Sequence, residues 1–193
     1  GTDLLFESAG VVVGVELCED LWVPIPPSSY LVQQGADIIV NLSATNELIG
    51  KHSYLLSLVR QQSARCVAGY VYASAGFGES STDLVFAGNG LVVENGSILA
   101  ESKRFSSTPQ LVVSEIDVER LRTERRVMTS FAKGAWAHGR DARFIPFVLN
   151  DIPLRLTRKV GAFPFVPSDS FVLNERCAEI LDIQSSGLAK RLV

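Results

Sequence analysis

The stretch VVVGVELCEDLWVP, Val11 to Pro24, decides how this chain is read. Residues 11–17 form an aliphatic, β-branched run too short for a helix, which reads as a buried strand. The run stops abruptly at Cys18-Glu19-Asp20, so a thiol flanked by three carboxylates (Glu16, Glu19, Asp20) sits at the strand's end. Two readings stand side by side. A free cysteine is commonly a small buried hydrophobe. A cysteine at the C-terminal end of a parallel-type strand, followed by a polar pair, instead sits where α/β folds carry their sites. Neighbouring carboxylates alone would raise a thiol's pKa and blunt it. A nucleophilic Cys18 therefore needs a base and a cation from elsewhere in the fold or from outside this chain.

Outward from that stretch, helix and strand signals alternate. Residues 26–35 read as a helix, with prolines at its start, serines able to cap it and Gly35 as its stop. Residues 37–42 are a second strand. Residues 51–65 carry Tyr54, Leu55, Leu58 and Val59 at helical spacing, and residues 66–73, opening at Cys66, form a third strand. The alternation indicates an α/β sheet. Beyond it come shorter strand candidates at 84–88, 90–102 and 110–117, with Asn95-Gly96 as a hairpin turn. Residues 117–127 read as a short polar helix capped by Asp117, its charge taken as solvated.

From 130 to 172 periodicity dissolves around Pro146, Pro153, Pro164 and Pro167, as in an extended connection. A helical pattern returns at 173–192, with Asn174 as its cap. Gly76-Phe77-Gly78 is not read as a phosphate loop, because polar and then strand-like residues follow where a helix is needed. It reads as a tight polar loop lining a site. Cys66 and Cys177 are expected in the core; His52 and His138 are taken as surface or structural.

Composition narrows the function classes. The 193 residues are 47% hydrophobic and 20% charged with net charge −3, which gives no general attraction to nucleic acid or to an anionic membrane. No apolar run reaches membrane-spanning length, and no basic-then-apolar leader opens the sequence. Three widely spaced cysteines without a CxxC pair, and two isolated histidines, argue against a disulfide framework or a metal site and suit a reducing cytoplasm. The chain opens at Gly1 and closes within the helical pattern at 187–193, so a fragment of a longer polypeptide is expected.

Taken together, GVELCEDLWVPIPPS (14–28) resembles the nucleophile strand and elbow of the nitrilase superfamily, the carbon–nitrogen hydrolases. NLSATNELIGK (41–51), QQSARCVAGYVYASAGFGESSTDLVFAGNGLVVENGSILAESKRF (61–105) and PFVP with NERCAEILDIQSSGLAKRL (164–192) are similar, in order, to glutamine-dependent NAD synthetases, whose glutaminase domain belongs to that superfamily. The resemblance implies an α/β fold of the four-layer αββα sandwich type, here incomplete at its N-terminus. It implies a Glu-Lys-Cys triad, with Cys18 as the nucleophile and the glutamate and lysine upstream of this chain. Glu19, Thr45 and Lys51 would contact glutamine, and no metal is held. Thr45 and Lys51 stand where another member of the family carries serine and arginine.

By the same resemblance, residues 1–130 are the second half of the glutaminase domain, 131–172 an interdomain connector and 173–193 the first helix of a synthetase domain. No cofactor belongs to this piece. The parent would pass ammonia to a synthetase domain using ATP and Mg with deamido-NAD, in a cytoplasmic homo-oligomer. A stand-alone nitrilase-type amidase and a non-catalytic scaffold of the same fold are the alternatives.

Overall fold

The computed structural model describes residues 3–134, 142–149, 156–158, 162–163 and 165–192. The chain divides into two units, Gly1–Arg155 and Leu156–Val193. In the first, β1 (Leu4–Ser8) turns back through Ala9 and Gly10, both at positive φ, into antiparallel β2 (Val11–Leu17). A 3-10 turn, Cys18–Trp22, leads to α1 (Pro27–Gln33), then β3 (Ile38–Ser43), α2 (Lys51–Cys66) and β4 (Gly69–Ser74). The hairpin β5 (Gly90–Glu94) and β6 (Ser97–Glu101) follows, then α3 (Val118–Val127), α4 (Thr129–Gly134) and β7 (Arg143–Pro146). Among the described residues the strands form one mixed sheet in the order β6-β5-β4-β3-β2-β1-β7, with β2, β3 and β4 parallel.

Strand alternation sorts the side chains by face. Leu5, Gly14, Ile39, Tyr70 and Val93 run across one row, Glu16, Asn41, Tyr72 and Leu91 across the next. All of these except Gly14 and Asn41 are large side chains, and the rows lie buried beneath α1 and α2 with Leu31, Val32, Leu55 and Val59. Gly14 sets the depth of α1. A Cβ there would meet Ile39 Cδ1 at 3.0 Å and Leu31 Cβ at 3.1 Å, so the helix can approach only over a glycine. The opposite face presents Phe6, Val13, Val15, Ile38, Val40 and Val71, half-buried. Over its β4–β5 end lies the segment before α3: a Cβ at Gly69 would meet Ile116 Cδ1 at 2.8 Å. Of the four layers the family resemblance implies, the described residues supply one sheet and one helical layer.

At the N-terminal ends of the parallel strands, α3 is tied down by charge. Asp37, 2% exposed, accepts from Val12 N–H at 3.0 Å and from Arg122 through Nη2 (2.6 Å) and Nε (2.9 Å). Arg122 also donates to Gly10 O, and Arg125 Nε donates to Val67 O at 2.9 Å. The Asp37 carboxylate holds the Arg122 guanidinium above its ordinary range. Asp117 caps α3 as expected, accepting from Arg120 N–H at 2.9 Å, but Arg122 and Arg125 are structural rather than solvated.

Other expectations are corrected. Cys66 does not open a strand: it ends α2, and a left-handed Val67 with Ala68 N–H bonded to Ser63 O closes the helix before β4. Residues 84–88 and 110–117 form no strand. Within the proline-containing connection, Arg143–Pro146 adds β7 parallel to β1. In the second unit, α5 (Ser170–Leu192) starts four residues before Asn174; Asp169 Oδ1 accepts from Val172 N–H at 2.9 Å, and Cys177 is exposed. His138, Pro153 and Pro164 lie outside the described residues. No helix among the described residues is long and apolar enough to cross a membrane.

Without Arg122, the buried Asp37 carboxylate keeps only the Val12 N–H and the more distant Arg125, whose Nη1 lies 3.9 Å away, and breaking a buried pair from one side is costly. Arg122→Met should lower the unfolding free energy by about 2–4 kcal/mol, measured by urea titration followed by circular dichroism; a change under 1 kcal/mol would rule out this tie as a main support of α3.

Candidate functional site

Parallel pairing of β2 with β3 sets the site. Leu17 pairs with Leu42, so the next residues, Cys18 and Ser43-Ala44-Thr45, emerge side by side at the C-terminal edge of the sheet. Cys18 has φ +47°, a left-handed conformation that costs an L-residue roughly 1–2 kcal/mol. The angle turns the chain sharply out of the strand and presents the thiol. Three contacts hold the turn after it. Leu17 N–H donates to Asp20 Oδ2 at 2.8 Å, and Leu21 is 2% exposed. Trp22 packs at 39° against Tyr54 of α2, ring centroids 5.6 Å apart.

The half-buried Cys18 Sγ lies 4.0 Å from Thr45 Oγ1, which is 2.9 Å from Ser43 Oγ. Burial pushes the thiol's pKa up. Hydrogen bonds from the Ala44 backbone, the Ser43 and Thr45 hydroxyls and the Glu19 backbone outweigh it, and the net shift is downward from the ordinary thiol value. The three carboxylates do not blunt this thiol. Glu16 is buried under the helices with its oxygens taken by Ser28 N–H and Tyr70 O–H, Asp20 folds back onto Leu17 N–H, and the Glu19 side chain is exposed. Cys66 differs: burial drives it up to about 11, with Gln62 Nε2 at 3.3 Å from its sulfur.

Of the residues singled out with Cys18, Thr45 reaches the thiol directly. Lys51 stands at the start of α2 and turns to the loop: its Nζ donates to Asn46 O (2.9 Å) and Oδ1 (3.1 Å), 5.5 Å from the Trp22 ring centroid. Among the described residues no lysine, arginine or histidine side chain forms a hydrogen bond or ion pair with Cys18.

Several contributors were not read from the sequence. The loop bearing Thr45 is clamped through Glu47, whose N–H donates to Val85 O (2.7 Å) and whose carboxylate takes Asn89 Nδ2 (3.1 Å) and Arg104 Nη2 (3.1 Å). His52 continues the chain, with Nδ1 2.9 Å from Asn89 Oδ1 and Nε2 3.2 Å from Glu101. Ser43, the last residue of β3, and Ala44 could have been found by register alone, since they continue from Leu42 as Cys18 continues from its partner Leu17. Gly76-Phe77-Gly78 leads into a 3-10 turn, Phe77–Glu79, rather than a helix.

A strand-end thiol of lowered pKa, ringed by hydroxyl and backbone donors, is chemically suited to attack an electrophilic carbon and to hold the oxyanion that results. Residues 2–126 match the carbon-nitrogen hydrolase family, and the chain belongs to it. The whole chain is 44% identical over 201 residues to the glutamine-dependent NAD(+) synthetases of Mycobacterium tuberculosis and Mycobacterium bovis, and 43% over 202 residues to that of Mycobacterium leprae. It spans about 30% of the length of these relatives. Among solved structures, a Helicobacter pylori carbon-nitrogen hydrolase superposes with TM-score 0.57 at 20% identity, covering 68% of this chain and 48% of that one. The Acinetobacter baumannii glutamine-dependent NAD+ synthetase gives 0.53 at 24%, covering 61% and 22%. These two show the fold.

Iodoacetamide should modify Cys18 in the native protein far faster than buried Cys66, with the rate reaching half its plateau at a pH below that of a free cysteine. Thr45→Val withdraws a donor from the thiolate, so the midpoint should rise and the rate at pH 7 fall about 2- to 10-fold, read by peptide mass spectrometry.

Proposed function

We propose that this chain is the nucleophile-bearing part of the glutaminase domain of a glutamine-dependent NAD synthetase. The observation that carries the reading is 44% identity along the whole chain to enzymes of that name, with Cys18 at the strand-end elbow. In this reading Cys18 Sγ attacks the side-chain amide carbon of glutamine. Glu19 N–H donates to the developing oxyanion. Collapse of the tetrahedral intermediate expels ammonia and leaves a thioester, which water hydrolyses to glutamate. Thr45, Lys51 and the Glu19 carboxylate hold the rest of the glutamine. The general base, a glutamate, and the lysine that assists the oxyanion come from outside this chain.

Ammonia would then amidate ATP-activated deamido-NAD in a synthetase domain, beginning near the 173–193 helix after the 131–172 connector. The residues here do not fit Mg-ATP: among the described ones no three His, Cys, Asp or Glu cluster to hold a metal, and no helix follows Gly78. The reading carries with it a cytoplasmic homo-oligomer.

The test is NAD formation by the full-length protein with glutamine or with ammonium chloride as nitrogen source. Cys18→Ala should abolish the first and spare the second. Hydrolysis of other amides with no glutamine-supported NAD would favour a stand-alone amidase. This 193-residue chain by itself should release no ammonia from glutamine above the Cys18→Ala background, because the base and cation are supplied elsewhere.

A further inference from the structure

Beneath the site lies a buried carboxylate that the mechanism above does not use. Glu16, two residues before Cys18, is 1% exposed and faces the helices. Its Oε2 accepts from Ser28 N–H in the first turn of α1 at 2.8 Å, and its Oε1 accepts from Tyr70 O–H of β4. Asn41 Nδ2 of β3 donates to the same Tyr70 oxygen at 3.2 Å. Ser28 is held from its other side, its hydroxyl accepting from Gln62 Nε2 at 3.0 Å.

The topology of these bonds is informative. Residues 18–26 leave the sheet at Glu16-Leu17 and return to the core at Ser28. One carboxylate joins both ends of that excursion, and Tyr70 and Asn41 fix the carboxylate to the two neighbouring parallel strands. The left-handed Cys18 lies inside the closed loop. A strained backbone angle persists only where its surroundings over-determine it. The Leu17–Asp20 bond fixes the first half of the turn; the Glu16–Ser28 bond fixes its far end.

We infer that Glu16 is a positioning residue for Cys18: through Ser28 and Tyr70 it locks the elbow that keeps the thiol left-handed and among its donors. The inference rests on the functional reading above only for its kinetic readout. Without the carboxylate the elbow can relax toward an ordinary φ, carrying Sγ away from Thr45, Ser43 and the Glu19 N–H. Glutamine contacts are not made by Glu16, so the effect falls on the chemical step.

In the full-length protein, Glu16→Ala should lower kcat for glutamine about 10- to 100-fold with KM changed less than about 3-fold, and should slow Cys18 alkylation by a similar factor per folded molecule. Glu16→Gln keeps an oxygen for Ser28 N–H and should recover most of both rates. Tyr70→Phe, which deletes a single hydroxyl, should cost about 3- to 10-fold in alkylation. If Glu16→Ala does not fold, Tyr70→Phe decides. Unchanged Cys18 alkylation in the folded variants, or losses that merely track the folded fraction in thermal melts, would overturn the inference. If the wild-type protein makes no NAD from glutamine, the functional reading fails, and the alkylation comparison still decides the role of Glu16.

Discussion

One backbone angle, the left-handed φ of Cys18, is the constraint on which the site depends. It is unfavourable locally and has to be maintained by contacts that reach well beyond the elbow. Parallel β2 and β3 bring Ser43-Ala44-Thr45 to the thiol, and backbone and hydroxyl donors then offset the effect of burial. Beneath them, hydrogen-bonded polar groups sit on a face that would otherwise be purely apolar. Such groups are costly to bury unless satisfied, and Glu16 satisfies its share by linking a helix start to a neighbouring strand.

The opposite end of the same strands is held by a different device. Asp37 collects a strand amide and an arginine 85 positions further on. Pairing of this kind is weak evidence of net stability, yet breaking it from one side is expensive. The two polar anchors lie at the two ends of the parallel strands: Asp37 carries α3 at one end, and Glu16 braces the elbow at the other.

Much of this was legible in the sequence. Val11–Leu17, the proline-led start of α1, the α2 periodicity, the Asn95-Gly96 hairpin and the Asp117 cap follow from local rules, and the structure contains each. What local rules do not carry is partnership. Arg143–Pro146 has no strand pattern of its own and is a strand because β1 supplies its hydrogen bonds. Cys66 sits in an apolar run, and only the left-handed Val67 separates helix from strand there. The carboxylates around Cys18 look like a cluster in one dimension. Glu16 is buried under the helices and spent on Ser28 and Tyr70, and the 3-10 turn folds Asp20 back onto Leu17 N–H, so neither carboxylate is among the groups that set the thiol's pKa. Arg122 and Arg125 look like solvated charge until their partner, far off in sequence, is known. Ser43 and Ala44 carry no signal beyond their register.

The strand order also ranks the pairings by the length of loop each must close. From β6 to β1 every neighbour in the sheet is also the next strand in the chain, so those pairings close short loops and can form early. Pairing of Leu4 with Arg143 is the exception. Ordering β7 must await nearly the whole unit, and its four residues return little for the entropy of so long a closure. Of the sheet's two edge strands, β7 thus gains the least for its closure, and its amides are the ones expected to open first, while the nucleophile strand, two strands further in, is expected to keep its hydrogen bonds. The frame around Cys18 can therefore persist while the margin of the sheet comes and goes.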